Sequence, residues 1–224
     1  MKKRVLWTLA ISILLVVLAI TGCSSPAMPT SGTNELTVKV LDVGQGDAIL
    51  LRTGEKTTLV DTGDVPARER LVKYLRQLGV KEIDNLIITH PHADHLGGVA
   101  AIFDNFAVKQ IYDSGQTTTT GLYRQYLQTV KKQKIPFTVV SPGMKIDLGG
   151  GAILEILAPQ KPLIQGTDGY LNNNSIVGKL VYGNFSMLLT GDIEREAEQR
   201  LVAKYKARLK STVLKSPHHG SRTS

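Results

Sequence analysis

Residues 89–98 read Thr-His-Pro-His-Ala-Asp-His-Leu-Gly-Gly, so His90, His92, Asp94 and His95 put three imidazoles and a carboxylate into six positions. Side chains alternate along an extended segment, which sets His90, His92 and Asp94 on one side; a turn into a helix swings His95 round to join them. Groups this polar are too costly to bury without a partner. Imidazole nitrogen and carboxylate oxygen are donors that suit Zn²⁺, Mn²⁺ or iron, and their density points to two ions rather than one. The bland alternative is a solvated histidine-rich loop. Against it, the apolar run Leu86-Ile87-Ile88 precedes the segment and Gly97-Gly98 follows it, which places the segment between a buried strand and a helix start.

His90-x-His92-x-Asp94-His95 followed by Leu-Gly-Gly resembles the signature of the metallo-β-lactamase fold superfamily. The resemblance implies an α/β fold of the metallo-β-lactamase type, a four-layer αββα sandwich, holding two divalent metal ions (Zn or Mn). It also gives places to Asp61, in Val60-Asp61-Thr62-Gly63, and to Asp192, in Leu188-Leu189-Thr190-Gly191-Asp192. In that superfamily the later aspartate bridges both metals, as an anion between two close cations should. On sequence alone Asp192 could equally cap a helix starting at Ile193. Asp61 reads either as the group that orients a ligand imidazole or as a turn residue at a strand end.

Three more segments, Leu41-Asp42-Val43-Gly44-Gln45-Gly46-Asp47-Ala48, Asn172-Asn173-Asn174-Ser175 and His218-His219-Gly220-Ser221, together look like the hydrolase domain of the ComEC DNA-uptake proteins. That resemblance runs from about Leu36 through nearly all that follows. It implies that His218 or His219 completes the second metal's ligands, after Asp94, His95 and Asp192; His218 is favoured because it ends a strand and Pro217 fixes its approach. No histidine lies between His95 and His218. Asn174, eighteen residues before Asp192, falls about where most of the superfamily supplies a third histidine, although Asn172–Asn174 also reads as a polar turn. Asp42, Gln45 or Asp47 could support the metal cavity from behind the ligands, or Gly44 and Gly46 could simply permit a tight turn. Ser221, at a possible helix start, could donate to a phosphate.

Two cations bridged by Asp192 would make hydroxide available near neutral pH, and Asp94 could orient it or pass a proton to the leaving group. No side-chain nucleophile is required. Because fold does not choose substrate, the substrate reading rests on the ComEC-like segments and on charge. They point to a phosphodiesterase or nuclease acting on extracellular DNA, with a separate DNA-uptake channel protein as partner. Arg124, Lys131, Lys132 and Lys134 on one helix, and Arg195, Arg200, Lys204, Lys206, Arg208 and Lys210 on another, could follow a phosphodiester backbone. Such charges are usually a solvated face, and Glu194, Glu196 and Glu198 dilute the second set. An enzyme acting on esters, lactones or amides is the alternative. A non-catalytic lipoprotein that binds metal or DNA is a third, because the ComEC-like pattern continues past His-His-Gly-Ser with a further strand, a helix and a His-containing loop. The expected sandwich therefore lacks its last strand and helix.

The elements that must position these residues are legible from periodicity. Leu36–Leu41, Asp47–Arg52 and Thr57–Val60 read as a meander; Leu86–Thr89, Val108–Tyr112, Phe137–Val140 and Ser211–Leu214 read as strands. Ile146–Leu157 reads as a hairpin broken by Gly149-Gly150-Gly151, and Ile176–Tyr182 with Phe185–Thr190 as another across Gly183-Asn184. Helices are expected over Val65–Leu78, from Gly97-Gly98 through Phe106, over Gly121–Gln133 and over Glu194–Leu209.

The ends carry a different signal. Met1-Lys2-Lys3-Arg4 precedes an apolar run from Val5 to Ile20, then Thr21-Gly22-Cys23, which is similar to the bacterial lipobox. Residues 1–22 read as a lipoprotein signal peptide, Cys23 as the lipidated residue and 23–34 as a flexible tether; an uncleaved transmembrane anchor is the alternative. Both put the domain, 35–224, outside the cytoplasmic membrane. Of the net charge of +8, three positive charges belong to that leader. The 42% hydrophobic and 21% charged composition excludes a disordered chain. Cys23 is the single cysteine, so neither a disulfide nor a thiolate ligand is available to the domain.

Overall fold

The computed structural model describes residues 35–223; the expected leader, tether and Cys23 lie outside the described residues. Among the described residues, Thr37–Val40, Ile49–Arg52, Thr57–Val60, Asn85–Ile88, Ile111–Asp113 and Phe137–Val139 lie side by side in a six-stranded sheet. The first three pair antiparallel, and the rest continue in parallel. The strands at its centre are apolar at most positions because both faces are covered. Leu50, Leu59, Leu86 and Ile88 face a helical layer, while Ile49, Leu51, Val60 and Ile87 face the second sheet.

The second sheet has five strands in the order Val213–Leu214, Phe185–Leu189, Val177–Tyr182, Ile153–Ala158 and Lys145–Asp147. Leu154, Ile156, Leu180 and Leu189 fill the space between the sheets. Leu157, Val177 and Leu188 point the other way, onto Ala197, Leu201 and Tyr205 of the helix Arg195–Tyr205. The outer layer of the first sheet is built by Arg68–Gln77, which buries Leu71, Val72 and Leu75, and by Gly121–Gln133, which buries Tyr123, Tyr126 and Val130. The layers run helix, sheet, sheet, helix, so the αββα sandwich expected from the sequence is the architecture found.

Local chemistry sets the ends of these elements. Thr120 caps Gly121–Gln133 by accepting from the Tyr123 amide, and Lys134 closes it in the left-handed conformation. The helix expected from Val65 instead begins as a 3-10 turn, Val65–Ala67, capped by Asp64. The strand expected over Val108–Tyr112 is divided. Ala107–Val108 pairs with Glu82–Ile83 in a separate ribbon, and Ile111–Asp113 joins the main sheet. The helix expected to reach Leu209 stops at Tyr205, whose hydroxyl is held by the Leu157 carbonyl, and a 3-10 turn follows over Lys206–Leu209. The Lys179 ammonium donates to the carbonyls of Arg208 and Lys210, turning the chain back toward the sheet.

The described residues, 35–223, form one compact unit. Among the described residues no helix is long and apolar enough to cross a membrane.

Candidate metal centre

The carboxyl ends of strands from both sheets meet at one edge, where α/β folds gather their ligands. Thr57–Val60 delivers Asp61, Asn85–Ile88 delivers Thr89 and His90, Phe185–Leu189 leads to Asp192, and Val213–Leu214 leads to Lys215 and the histidine pair. The sheets are tied there by the Ile176 amide donating to the Thr89 carbonyl at 2.9 Å, and within the second sheet the Asp192 amide donates to the Ser175 hydroxyl at 3.2 Å. After His92 the chain turns into the single helical turn Ala93–Leu96, and this turn brings His95 back beside His90, their rings 4.1 Å apart.

Two groups of donors result. His90 Nε2 and His92 Nδ1 face each other at 3.1 Å. Beside them Asp94, His95, Asp192 and His219 converge, with one donor atom from each lying within 4.8 Å of the others. Asp192 Oδ2 sits 3.0 Å from both His95 Nε2 and His219 Nε2. Its other oxygen, Oδ1, is buried without a hydrogen-bond partner. A carboxylate with an orphaned buried oxygen, ringed by imidazole nitrogens, is an arrangement a cation completes. His90, His95 and Asp192 are buried, while Asp94 and His219 stand at the mouth with about a quarter of each side chain exposed.

Behind these donors stands Asp61, fully buried and holding a left-handed backbone with φ of 59°, a conformation aspartate tolerates better than most residues. Its Oδ1 accepts from the Thr89 amide at 2.8 Å; its Oδ2 accepts from the Thr89 hydroxyl at 2.7 Å and contacts His95 Nδ1 at 2.8 Å. Asp61 therefore fixes which His95 nitrogen faces Asp192. Asp47 is also buried, 3.8 Å from His219 Nδ1 and 2.7 Å from the Lys215 ammonium. Its loop presses on the ligand loop: the Asp47 amide donates to the Asp94 carbonyl, and a Cβ on Gly46 would come within 2.1 Å of that oxygen.

Several expected residues are placed elsewhere. Asp42 and Gln45 are exposed; Asp42 caps the Gly44 amide and pairs loosely with Arg70, so neither reaches the cavity. Asn174, expected to stand in for the missing histidine, has its side chain engaged away from the donors. Its Oδ1 accepts from the Ile164 amide, and its Nδ2 donates to the Ile164 and Tyr170 carbonyls, which spends the side chain on pinning the 164–170 loop. Asn172, two residues earlier on the helical turn Tyr170–Asn173, is the asparagine beside His92. The histidine pair resolves against the expectation: His219 faces Asp94 and Asp192, whereas His218 turns to Glu194, Asn172 and the Thr223 hydroxyl. Both hold positive φ, 43° and 54°, so the tight turn sends adjacent side chains apart. Ser221 follows a 3-10 turn rather than opening a helix, and its amide and hydroxyl bond to His218 and Thr223.

Lys215 was not legible as a site residue. Its ammonium lies 2.7 Å from Asp47 and 3.8 Å from Asp192 Oδ1 and donates to the Gly191 carbonyl at 3.1 Å, with only 12% of the side chain exposed. The only hint in the sequence is its place just before Ser-Pro-His-His.

The electrostatics follow from the crowd of carboxylates. Burial works to lower the pKa of His95, but Asp61 and Asp192 on either side lift it to about 10. Hydrogen bonds to Asp192 and Asp94 raise His219 to about 9. Burial would raise Asp192, yet the bonds from His219 and His95 hold it well below the ordinary carboxylate range. Burial also drives His90 well below its usual value, so it stays a neutral donor. In the metal-free chain, protons thus stand where cations would. With folded values above the ordinary 6.5, the His95 and His219 pairings stabilise the metal-free fold fully below about pH 6.5, and this contribution fades as pH rises through 9 to 10. Divalent metal must displace these protons. Titration calorimetry at pH 7 in buffers of different ionisation enthalpy is expected to show about two protons released per chain, with affinity rising with pH; release near zero would contradict this.

Residues 41–224 match the metallo-beta-lactamase superfamily. The chain is 32% identical over 192 residues to competence protein ComA of Neisseria gonorrhoeae, covering 85% of this chain and 25% of that protein. It is 28% identical over 210 residues to ComE operon protein 3 of Bacillus subtilis, covering 86% and 26%. The chain thus spans about a quarter of the length of these relatives. Among solved structures, the HARLDQ motif mutant S60 of a metallo-beta-lactamase of Cronobacter sakazakii superposes with a TM-score of 0.53 at 17% identity, over 79% of this chain and 74% of that one. That likeness shows the shared fold, and with the match over most of its length the chain belongs to the metallo-beta-lactamase superfamily of hydrolases.

Proposed function

We propose that this protein is a dinuclear metal-dependent phosphodiesterase acting on extracellular DNA. The observation that carries the reading is the gathering of five donors, His90, His92, Asp94, His95 and His219, near the buried Asp192 carboxylate, one oxygen of which has no hydrogen-bond partner. His90 and His92 would hold one cation and Asp94, His95 and His219 the other, with Asp192 shared. When bound, such ions polarise the oxygens of the scissile bond and make water an effective nucleophile near neutral pH.

The chain's own residues account for the remaining tasks. Asp94, at the mouth and 3.4 Å from His219 Nε2, is placed to take or give a proton. Lys215 offsets the negative charge of Asp47 and Asp192, which would otherwise repel a phosphodiester. Phosphodiesters are favoured over carboxylic esters by the likeness to two competence proteins and by the exposed Arg124, Lys131 and Lys132 of one helix and Lys134 at its end.

The test is turnover of single- and double-stranded DNA and of a bis-nitrophenyl phosphate with Zn²⁺ or Mn²⁺, beside a nitrophenyl ester, a lactone and an amide. Phosphodiester cleavage that chelator abolishes and salt weakens is the expected result. Turnover of esters, lactones or amides alone would favour the alternative hydrolase. The proposal extends to location: the chain is held outside the cytoplasmic membrane by lipid on Cys23 and works beside a separate DNA-uptake channel. Labelling cells with a fatty acid should mark the wild type and not Cys23→Ser; equal labelling of both would remove the anchor from the proposal.

A further inference from the structure

Beside the donors lies a cavity of about 340 Å³ that none of the chemistry above uses, a size that small-ligand sites have. One wall is Gly115-Gln116-Thr117, which follows the strand Ile111–Asp113; the loop from Leu163 to Gly166 and the Tyr170 side chain complete it. Strand register sets its place. Ile111–Asp113 runs parallel to Asn85–Ile88 with Asp113 level with Ile88, so residues 114 and 115 leave the sheet edge one strand, about 5 Å, from Thr89 and His90. Across the cavity, Gln116 Nε2 donates to the carbonyls of Leu171 at 3.0 Å and Asn174 at 3.1 Å. The same helical turn, Tyr170–Asn173, carries Asn172, 3.5 Å from His218 Nε2. The cavity thus adjoins the metal centre and contains none of its donors.

The lining decides what chemistry fits. None of the residues around the cavity carries a charge, so a phosphate, a carboxylate or an amine has no counter-ion there. Leu163 and Ile164 give an apolar surface, while Gln116, Thr117 and Gln165 give amide and hydroxyl groups. Tyr170 gives an aromatic face, at 41% the most exposed among the described residues. The walls are held in place: Asn174 engages both the amide and the carbonyl of Ile164, and the two carbonyls that accept from Gln116 Nε2 fix which way its carboxamide lies. Gln116 Oε1 is left buried with no hydrogen-bond partner, in a residue only 4% exposed, an acceptor in want of an N–H donor. A flat neutral ring with an aromatic face and N–H and C=O groups on its edge suits all of these features.

We propose that this cavity seats one nucleobase of the strand whose phosphodiester lies at the metal centre, with the base stacked on Tyr170. The inference rests on the phosphodiesterase reading and adds which form of DNA the site takes. A base held there is unstacked from its neighbours and unpaired, so the substrate is a single strand or a frayed end. Sequence preference stays weak, because every base presents a π-face.

The test uses the full chain and a short single strand carrying a fluorescent aminopurine base, whose emission stacking quenches. Binding is read first with chelator present, so that no turnover intervenes, and cleavage is then read with Mn²⁺. The wild type is expected to quench saturably, and to cleave this strand with a KM about fivefold or more below that of the same backbone carrying abasic sites. Tyr170→Ala should bind the aminopurine strand about 5- to 100-fold more weakly and bring the two KM values together. Tyr170→Phe keeps the ring and should retain both the quenching and the KM difference. Equal KM for base-bearing and abasic strands in the wild type, or unaltered quenching in Tyr170→Ala, would overturn the base pocket and leave the phosphodiesterase reading standing. Failure to cleave any strand would overturn the phosphodiesterase reading and this inference with it.

Discussion

Replacing Asp192 with asparagine is expected to reduce hydrolytic turnover by about 10³-fold or more and to remove metal from the chain. The substitution preserves shape and changes one charge. That charge lies 3.0 Å from both His95 Nε2 and His219 Nε2, and its other oxygen is buried without a hydrogen-bond partner, so neither cation would keep its shared anion. Electrostatic stabilisation worth several kcal/mol corresponds to several powers of ten in rate. Elemental analysis of Asp192→Asn should find less than one ion per chain. His219→Ala should fall in the same class, because His219 reaches both Asp94 and Asp192. His218→Ala should stay within about tenfold of wild type, its contacts being to Glu194, Asn172 and Thr223 outside the donor ring. Full turnover with two retained ions in Asp192→Asn would refute the assignment.

The second large effect is expected at Asp61, which no substrate would touch. Three groups converge on its two oxygens: the Thr89 amide, the Thr89 hydroxyl and His95 Nδ1. Asparagine tolerates the same left-handed backbone, so Asp61→Asn isolates the side-chain chemistry from the φ of 59°. It offers one acceptor oxygen where two are used. With an amide NH₂ opposite Nδ1, His95 is driven to carry its proton on Nε2, the nitrogen aimed at Asp192. A protonated Nε2 cannot coordinate, so metal affinity should fall about 10- to 100-fold. Losing a buried acceptor should cost about 1–3 kcal/mol of stability as well. Urea denaturation of the metal-free protein reads the second effect, and metal titration the first. Wild-type affinity in a folded Asp61→Asn would show that His95 does not depend on Asp61 for its tautomer.

Much of this was written in the chain before folding. The run His90 to His95 encodes its own geometry, because alternation and the turn into Ala93–Leu96 are local and place four donors within one loop. Gly121–Gln133 is found with the bounds its periodicity predicts, since cap, apolar stripe and stop all lie within it. The four-layer sandwich follows from the same source. Strands such as Asn85–Ile88, apolar at most positions, have to be covered on both faces, and here helices cover one side and a second sheet the other.

Wherever the sequence offers the same residue type twice, local pattern runs out. Asn172 and Asn174 are alike in composition and context, yet one is spent on the Ile164 loop and the other left with an unpaired oxygen beside His92, because the loop at 164 and Glu194 arrive from distant parts of the chain. His218 and His219 differ only in which way a turn with two positive φ angles throws them, and the position of that turn is set by pairing of Val213–Leu214 with Phe185–Leu189. Asp42 is exposed and Asp47 buried for a similar reason: the loop between them is pressed onto the Asp94 carbonyl through Gly46. Lys215 shows the limit most plainly. A lysine at a strand end reads as solvent-facing, and only the meeting of two sheets surrounds it with Asp47 and Asp192. The sequence by itself determined the donors, whose spacing is a property of one short segment, and the layers, whose apolar faces must be buried; the tertiary structure alone decided which side chain of each like pair meets them, because that depends on contacts between residues far apart in the chain.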